Sequence, residues 1–488
     1  MQSVRQWVVV LVVALLAGCG LGTPTHSAGP SAGDGRSASA PRAVGGDDVV
    51  YGVVPDLWAG RRLGSAEAVR RRLPYLERLG VDVLWLWPPP QRRQAGEEYA
   101  VTSFTALDES WGSPGDLRRL VDAAHARGMR VIVDVVVNHT SRRHPWFRRA
   151  DSPRDPTWDY YERDAAGRPD HYFDWRHLPN LDLDHPDVRA RIVGALRHWV
   201  TAYDVDGFRF DVAWGPHRRS PTFWPEVVAS LRALEPDLFL LAEATGRARW
   251  VPRDGFDAGY DWRGGLGRWA WRGIWGGRTG ARLGSLLRER TPAPLFRFVD
   301  NNDTGRRFAD RHGLAQARRA AVVELTVPGV PTIFAGQELG IAYEPYGAGE
   351  DPPAFTDRGL LGLYRRLVRL RGRLPALQGP DLRVLRARGG QLAYLRPGDR
   401  PVVVVVHFGG ARPLRLPAGA RRLLGADPRV LAGRAGIAGD SVRVGPRGYA
   451  VLAARAAGAA GDRSALAPPR RGAAHAVPCR RADRQPLG

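Results

Sequence analysis

The sequence predicts an α/β fold: a (β/α)8 barrel with a loop subdomain inserted after the third strand and a C-terminal antiparallel β-domain. Three observations lead there. Eight short apolar runs recur between Val49 and Ala335. Several are separated by amphipathic stretches at helical spacing, the pattern of a parallel sheet covered by helices. After Leu377 the style changes to short strands divided by Gly and Pro turns, as an antiparallel sheet requires. A doubly wound open sheet is the competing architecture, but no Gly-rich phosphate loop follows the first run.

In chain order, Arg5 precedes an apolar run from Trp7 to Ala17, short for a membrane span and suited to a signal peptide. The run ends in Leu16-Ala17-Gly18-Cys19. This resembles the bacterial lipobox, whose Cys is lipidated and becomes the mature N-terminus. Residues 1–19 are therefore expected to be a lipoprotein signal, with Cys19 anchoring an extracytoplasmic protein to the membrane. Ordinary secretion and an uncleaved anchor are the other readings. Residues 20–46 are Gly, Ser, Ala, Pro and Thr with few large apolar groups, a composition that cannot order itself and reads as a tether.

The barrel is expected over 47–376. Its strands are predicted at Val49–Val54, Val83–Trp87, Val131–Val137, Gly207–Asp211, Phe239–Ala242, Phe256–Tyr260, Phe296–Val299 and Thr332–Ala335. Helices are predicted at Ser65–Leu79, Pro114–Arg127 and Val188–Tyr203. Ser113-Pro114 reads as an N-cap with Pro in the first turn, and Gly80 and Gly128 stand where helix C-terminal glycines belong. The connection over 140–186 is rich in Trp, Tyr, Pro and Asp and lacks helical periodicity. A loop of that length is functional or a small subdomain. The β-domain is expected over 377–456, with Leu392–Leu395, Val402–His407, Val442–Val444 and Tyr449–Leu452 as strands. The unbroken Val402–Val406 run predicts a strand buried on both faces. Residues 457–488 are expected to be disordered.

The 488-residue chain has a formal net charge of +22, and its basic residues are all Arg. They are scattered and not gathered into a stripe, and no nucleic-acid reading module appears, so nucleic acid is not an expected partner. Cys19 and Cys479 sit where neither a disulfide framework nor a metal cluster would form.

Chemistry concentrates in Gly207-Phe208-Arg209-Phe210-Asp211-Val212-Ala213. Arg209 and Asp211 share one face of a buried strand. An unpaired buried charge costs several kcal/mol, so the two either form a structural ion pair or meet in a cleft at the strand end. Polar residues at the other strand ends add His139, Glu243 and Asp303, a set suited to glycosidic bond cleavage. Retaining hydrolysis needs a nucleophilic carboxylate and a carboxylic acid about 5–5.5 Å apart.

These residues sit in motifs that resemble the α-amylase family of glycoside hydrolases: Asp134-Val135-Val136-Val137-Asn138-His139, the Gly207 stretch, Leu241-Ala242-Glu243, and Phe298-Val299-Asp300-Asn301-Asn302-Asp303. Leu178-Pro179-Asn180-Leu181-Asp182 and Pro328-Gly329-Val330-Pro331 into Ala335-Gly336-Gln337-Glu338 extend the likeness. His144-Pro145-Trp146-Phe147 resembles a loop of α-glucosidase and trehalose-converting members. The resemblance runs from about residue 49 to 455.

It implies Asp211 as nucleophile, Arg209 as the cation lowering its pKa, Glu243 as general acid and base, and Asp303 as a holder of sugar hydroxyls. Tyr99, His139 and Asn302 would line the sugar, while Trp85 and Trp87 read as core. Two positions depart from the family pattern. Ala100 stands where many members have Asp, and Asn302 where many have His; both lost groups normally hydrogen-bond the sugar. Asn138 resembles a position that binds structural Ca2+ in many amylases; its other reading is a hydrogen bond tying down the long loop. No cofactor is required.

The implied activity is hydrolysis of α-glucosidic bonds in α-glucans or α-gluco-oligosaccharides by a protein expected to be monomeric. Transglycosylation or disaccharide isomerisation is the enzymatic alternative. A carbohydrate-binding protein with decayed catalysis, or a basic envelope-associated protein, are the alternatives outside it.

Overall fold

The computed structural model describes residues 44–59, 64–263, 268–347, 353–409, 416, 422–425, 428–438 and 441–454. The expected signal with Cys19, the tether through residue 43, the last two residues of the expected β-domain and the tail over 457–488, including Cys479, lie outside the described residues.

Eight parallel strands close into a barrel in sequence order: β1 (Val50–Val53), β2 (Val83–Leu86), β3 (Arg130–Val135), β4 (Gly207–Phe210), β5 (Phe239–Thr245), β6 (Ala258–Tyr260), β7 (Leu295–Phe298) and β8 (Val330–Phe334). β8 pairs with β1, so no edge is left open. Nearly every strand residue is buried, because the interior is filled on one side and helices cover the other. β6 is only three residues long and pairs with β5 through a register shift.

The intervening helices follow the sequence closely. Ser65–Leu79 ends at Gly80, whose φ of +93° needs glycine, and its N–H returns to Leu76 and Glu77. Pro114–His125 ends two residues before the expected Arg127. It begins with a capping box in which Ser113 and Asp116 bond each other's backbone. The 140–186 connection is not wholly irregular: it holds a short helix, Pro145–Arg149, and a 3-10 segment, Pro156–Tyr160. The short bridge His139–Asn180 ties it to the barrel rim, and Tyr161–Leu181 ties it to itself.

Beyond the helix Leu361–Arg373, the C-terminal strands are β9 (Arg383–Arg388), β10 (Gln391–Arg396), β11 (Val402–His407), β12 (Arg429–Gly433), β13 (Gly436–Ala438), β14 (Ser441–Arg443) and β15 (Tyr449–Ala453). The main sheet runs β12-β15-β11-β10-β9, and β13 pairs with β14 apart from it. β11 is buried on both faces as its sequence predicts. Val402, Val404 and Val406 join the barrel-side core, while Val403 and Val405 enter a second core on the far face.

Candidate active site

Parallel strands bring their C-terminal ends to one rim, and there the candidate residues assemble. Arg209 is the hub. It is fully buried on β4, and its Nη1 donates to Asp134 Oδ1 at 2.8 Å and to Asp211 Oδ1 at 2.9 Å. Its Nη2 lies 2.9 Å from Glu243 Oε1 as an ion pair, though not aligned for a hydrogen bond, and its Nε donates to Tyr260 Oη at 3.0 Å. Burying one guanidinium is tolerable here because three carboxylates and a phenol surround it.

Asp211 follows directly on β4. The next residue, Val212, is held at a φ of +51°, a left-handed conformation costly for a β-branched side chain. That turn aims the Val212 N–H at Glu243 Oε2, 2.7 Å away. Asp211 and Glu243 thus both pair with Arg209, through Nη1 and Nη2 respectively. Asp303 sits in a 3-10 turn behind β7, open to solvent. It accepts from Asn302 Nδ2 at 2.9 Å and from Tyr346 Oη at 3.0 Å.

Asp134 links the buried hub to this outer group. Tyr99 Oη donates to Asp134 Oδ2 at 3.3 Å while accepting from Trp87 Nε1 at 3.0 Å and Asn302 Nδ2 at 3.1 Å. His139 joins through the Tyr99 carbonyl oxygen, 3.2 Å from its Nε2, and stacks on Tyr172. All seven residues selected from sequence as catalytic or sugar-lining thus fall in one connected network. Trp85 and Trp87 are buried, in keeping with a core role. Ala100 is buried too and offers the cleft no polar side-chain atom.

One expectation changes. Arg209 does draw the Asp211 pKa down, but burial acts more strongly, and the carboxyl ends up raised, to about 6. Burial raises Glu243 well above the usual carboxylate range, with Asp211 and Asp303 adding to the effect and Arg209 opposing it. The carboxyls are thereby ordered, Asp211 the readier to ionise and Glu243 the readier to keep a proton. Burial drives the His139 imidazole down to about 3, so the ring is neutral.

The sequence reading assigned no role to Asp134, Tyr260, Tyr172 or Tyr346. Asp134 and Tyr260 lie on β3 and β6, and counting every polar group near a strand end would have found them. Tyr172 comes from the inserted loop and Tyr346 from a three-residue 3-10 turn, Pro345–Gly347, both too short of periodicity to indicate direction.

For a metal, the residues present do not fit. Asn138 Oδ1, the oxygen that would face Ca2+, accepts from Arg219 Nη1 at 2.9 Å. Among the described residues no group of three or more His, Cys, Asp or Glu side chains is placed to hold an ion.

Residues 39–229 match the family described as alpha amylase, catalytic domain. Alpha-amylase MalA of Haloarcula japonica is 32% identical over 420 residues, covering 82% of this chain and 61% of its own. Neopullulanase 2 of Thermoactinomyces vulgaris is 30% identical, covering 72% and 63% respectively. The chain thus spans about three fifths of the length of these relatives. Among solved structures, a cyclomaltodextrinase superposes with a TM-score of 0.72 at 22% identity, covering 84% of this chain and 78% of that one. An alpha-amylase from Geobacillus thermoleovorans gives 0.68 at 21%, covering 84% and 98%. The structural likeness establishes the shared barrel fold. Within that fold, residues 39–229 are similar in sequence to the alpha amylase catalytic domain.

Proposed function

We propose that this protein hydrolyses α-glucosidic bonds of α-glucans or α-gluco-oligosaccharides by a retaining double displacement. The observation that carries the reading is that Asp211 and Glu243, from the ends of adjacent strands, pair with one guanidinium, each 2.9 Å from a nitrogen of Arg209. Retention rather than inversion is the course that the family likeness supports, with Asp211 placed to attack and Glu243 to give and take the proton.

In this reading Asp211 attacks the anomeric carbon while Glu243 protonates the departing oxygen. Glu243 then takes a proton from the incoming water, which releases the sugar with its configuration kept. Arg209 spreads its charge over both carboxylates. Asp303, steadied by Asn302 and Tyr346, would take the sugar's hydroxyls, and Tyr99 would offer a ring face. Asn302 Nδ2 is committed to Tyr99, Asp303 and Tyr346, so the amide nitrogen organises the wall, while its buried Oδ1 has no partner. With Ala100 silent, a direct hydrogen bond or two is missing, worth about 1–3 kcal/mol each in transition-state binding. The enzyme is accordingly a slower or less selective one.

The relatives' names support the substrate class, spanning amylase, neopullulanase and cyclomaltodextrinase. The Leu16-Ala17-Gly18-Cys19 motif supports attachment to the cell envelope through a lipid on Cys19.

A panel of maltose, maltotriose, starch, isomaltose, sucrose and trehalose tests the activity. Wild type should release sugar from at least one, and Asp211→Asn from none at a comparable rate. Equal release by both proteins, or binding without release, would replace this reading with a carbohydrate-binding one. Growth with labelled palmitate tests the anchor: label should enter wild type and not Cys19→Ala.

A further inference from the structure

The guanidinium of Arg219 occupies the place at Asn138 where a metal would bind. Asn138 follows β3 and is buried. Its Oδ1 accepts from Arg219 Nη1 at 2.9 Å, and its carbonyl oxygen faces Nη2 at 3.5 Å. The same guanidinium donates through Nε to Glu162 Oε1 at 2.6 Å. Asn138 belongs to the barrel rim, Glu162 to the inserted loop, and Arg219 closes the helix Trp214–Arg219 that follows Asp211. One planar cation therefore ties three elements together.

Its surroundings are rich in oxygen and net acidic. Asp170 and Asp182 lie near enough to act on the Glu162 carboxyl, and Asn180 Oδ1 accepts from Asn138 Nδ2 at 3.4 Å. Hard oxygens of this kind are what Ca2+ selects. The site is also shaped for the arginine. At Gly215 a Cβ would fall 2.6 Å from Asn138 Oδ1 and 3.3 Å from Arg219 Nη1, so a side chain there would push the pair apart. A calcium ion about 2.4 Å from Asn138 Oδ1 would meet a like charge on the same oxygen. Ion and guanidinium exclude each other.

We propose that Arg219 is a covalently tethered replacement for a structural divalent cation, so that the base of the inserted loop is held without metal. The effect reaches the cleft, because Asn138 Nδ2 lies 3.0 Å from His139 Nδ1 and fixes that ring beneath Tyr172. The inference does not depend on which bond the enzyme cleaves.

The test is thermal unfolding of the full chain in EDTA and in low-millimolar CaCl2. Wild type should unfold at the same temperature in both, and equilibrium dialysis should find no calcium retained. Arg219→Ala should melt several degrees lower in EDTA and recover most of the loss in CaCl2, since the freed oxygens then face an ion. A wild type that loses stability in EDTA overturns the proposal, as does an Arg219→Ala protein that calcium leaves unchanged. If Arg219→Ala does not fold, Arg219→Lys replaces it. That variant keeps the charge but not the fork, so it should be mildly destabilised and gain from calcium, and no gain counts against the proposal. A structural ion pair with no cation role would show no calcium effect in any variant.

Discussion

At the scale of single residues, the account rests on two carboxyls with different affinities for the proton. Removing either should abolish turnover while leaving the barrel folded. Glu243→Gln is expected to lose about 10²–10⁴-fold in kcat, the usual range for a general acid–base group. Asp211→Asn should lose at least as much. Both are measured on the best substrate of the panel, with circular dichroism to confirm folding. The pH profile follows from the same pair. As pH rises through about 6, Asp211 ionises and kcat/KM should climb; as it rises further, Glu243 loses its proton and the rate should fall. A profile flat from pH 5 to 8 would contradict the assignment. Asp211, Glu243 and Arg209 were legible in the sequence because buried charges at strand ends have few other reasons to be there, and the exposed Asp303 because it closes a motif behind a predicted strand. The net direction of the Asp211 pKa was not legible, for it depends on how much water the closed rim excludes.

At the scale of elements, the strands and helices that place the site are those whose sequences agree with their surroundings. Ser113→Ala removes the side-chain half of a capping box and should cost about 1 kcal/mol, read as a lower midpoint in urea with no change in slope. No shift would mean that Pro114 and tertiary packing alone hold the helix end. The same agreement made the Val402–His407 strand visible. β9 was missed because Arg383, Arg386 and Arg388 make it resemble a solvated loop, and it is indeed an edge strand that is only partly buried. Val212 was missed for the opposite reason. Its side chain favours a strand, but its N–H bonds to Glu243 and its carbonyl accepts from Gly215 N, and both contacts hold it in a turn.

At the scale of the whole molecule, the C-terminal sheet is joined to the barrel by close approach of backbones. The helix Thr279–Leu286 carries Gly280 and Gly284 against it. A Cβ at Gly280 would fall 2.4 Å from the Gln391 carbonyl oxygen, and one at Gly284 would fall 2.2 Å from Ala387 Cβ. Arg396 spans the same junction, its Nη1 donating to the Thr326 carbonyl oxygen at 2.5 Å. Gly284→Val should wedge the sheet away and lower Tm by several degrees. Two separate calorimetric transitions in wild type would show instead that sheet and barrel fold independently.

Stability should also depend on pH in the direction set by the cleft. Asp134 and Asp211 bind protons more tightly folded than unfolded, at about 7 and about 6. Their contribution is therefore fully present below about pH 4 and is lost as pH rises through the folded values. Asp211→Asn should accordingly raise Tm at pH 8 relative to wild type and much less at pH 4. An unchanged difference across that range would place the burden elsewhere.

The most direct measurement is mass spectrometry of the enzyme quenched during turnover of a fluorinated α-glucosyl fluoride, which slows release of a covalent sugar. The account predicts one hexosyl-sized addition, mapped to the peptide that carries Asp211 and absent from Asp211→Asn. Turnover with no adduct, or an adduct on any other carboxylate, would contradict it.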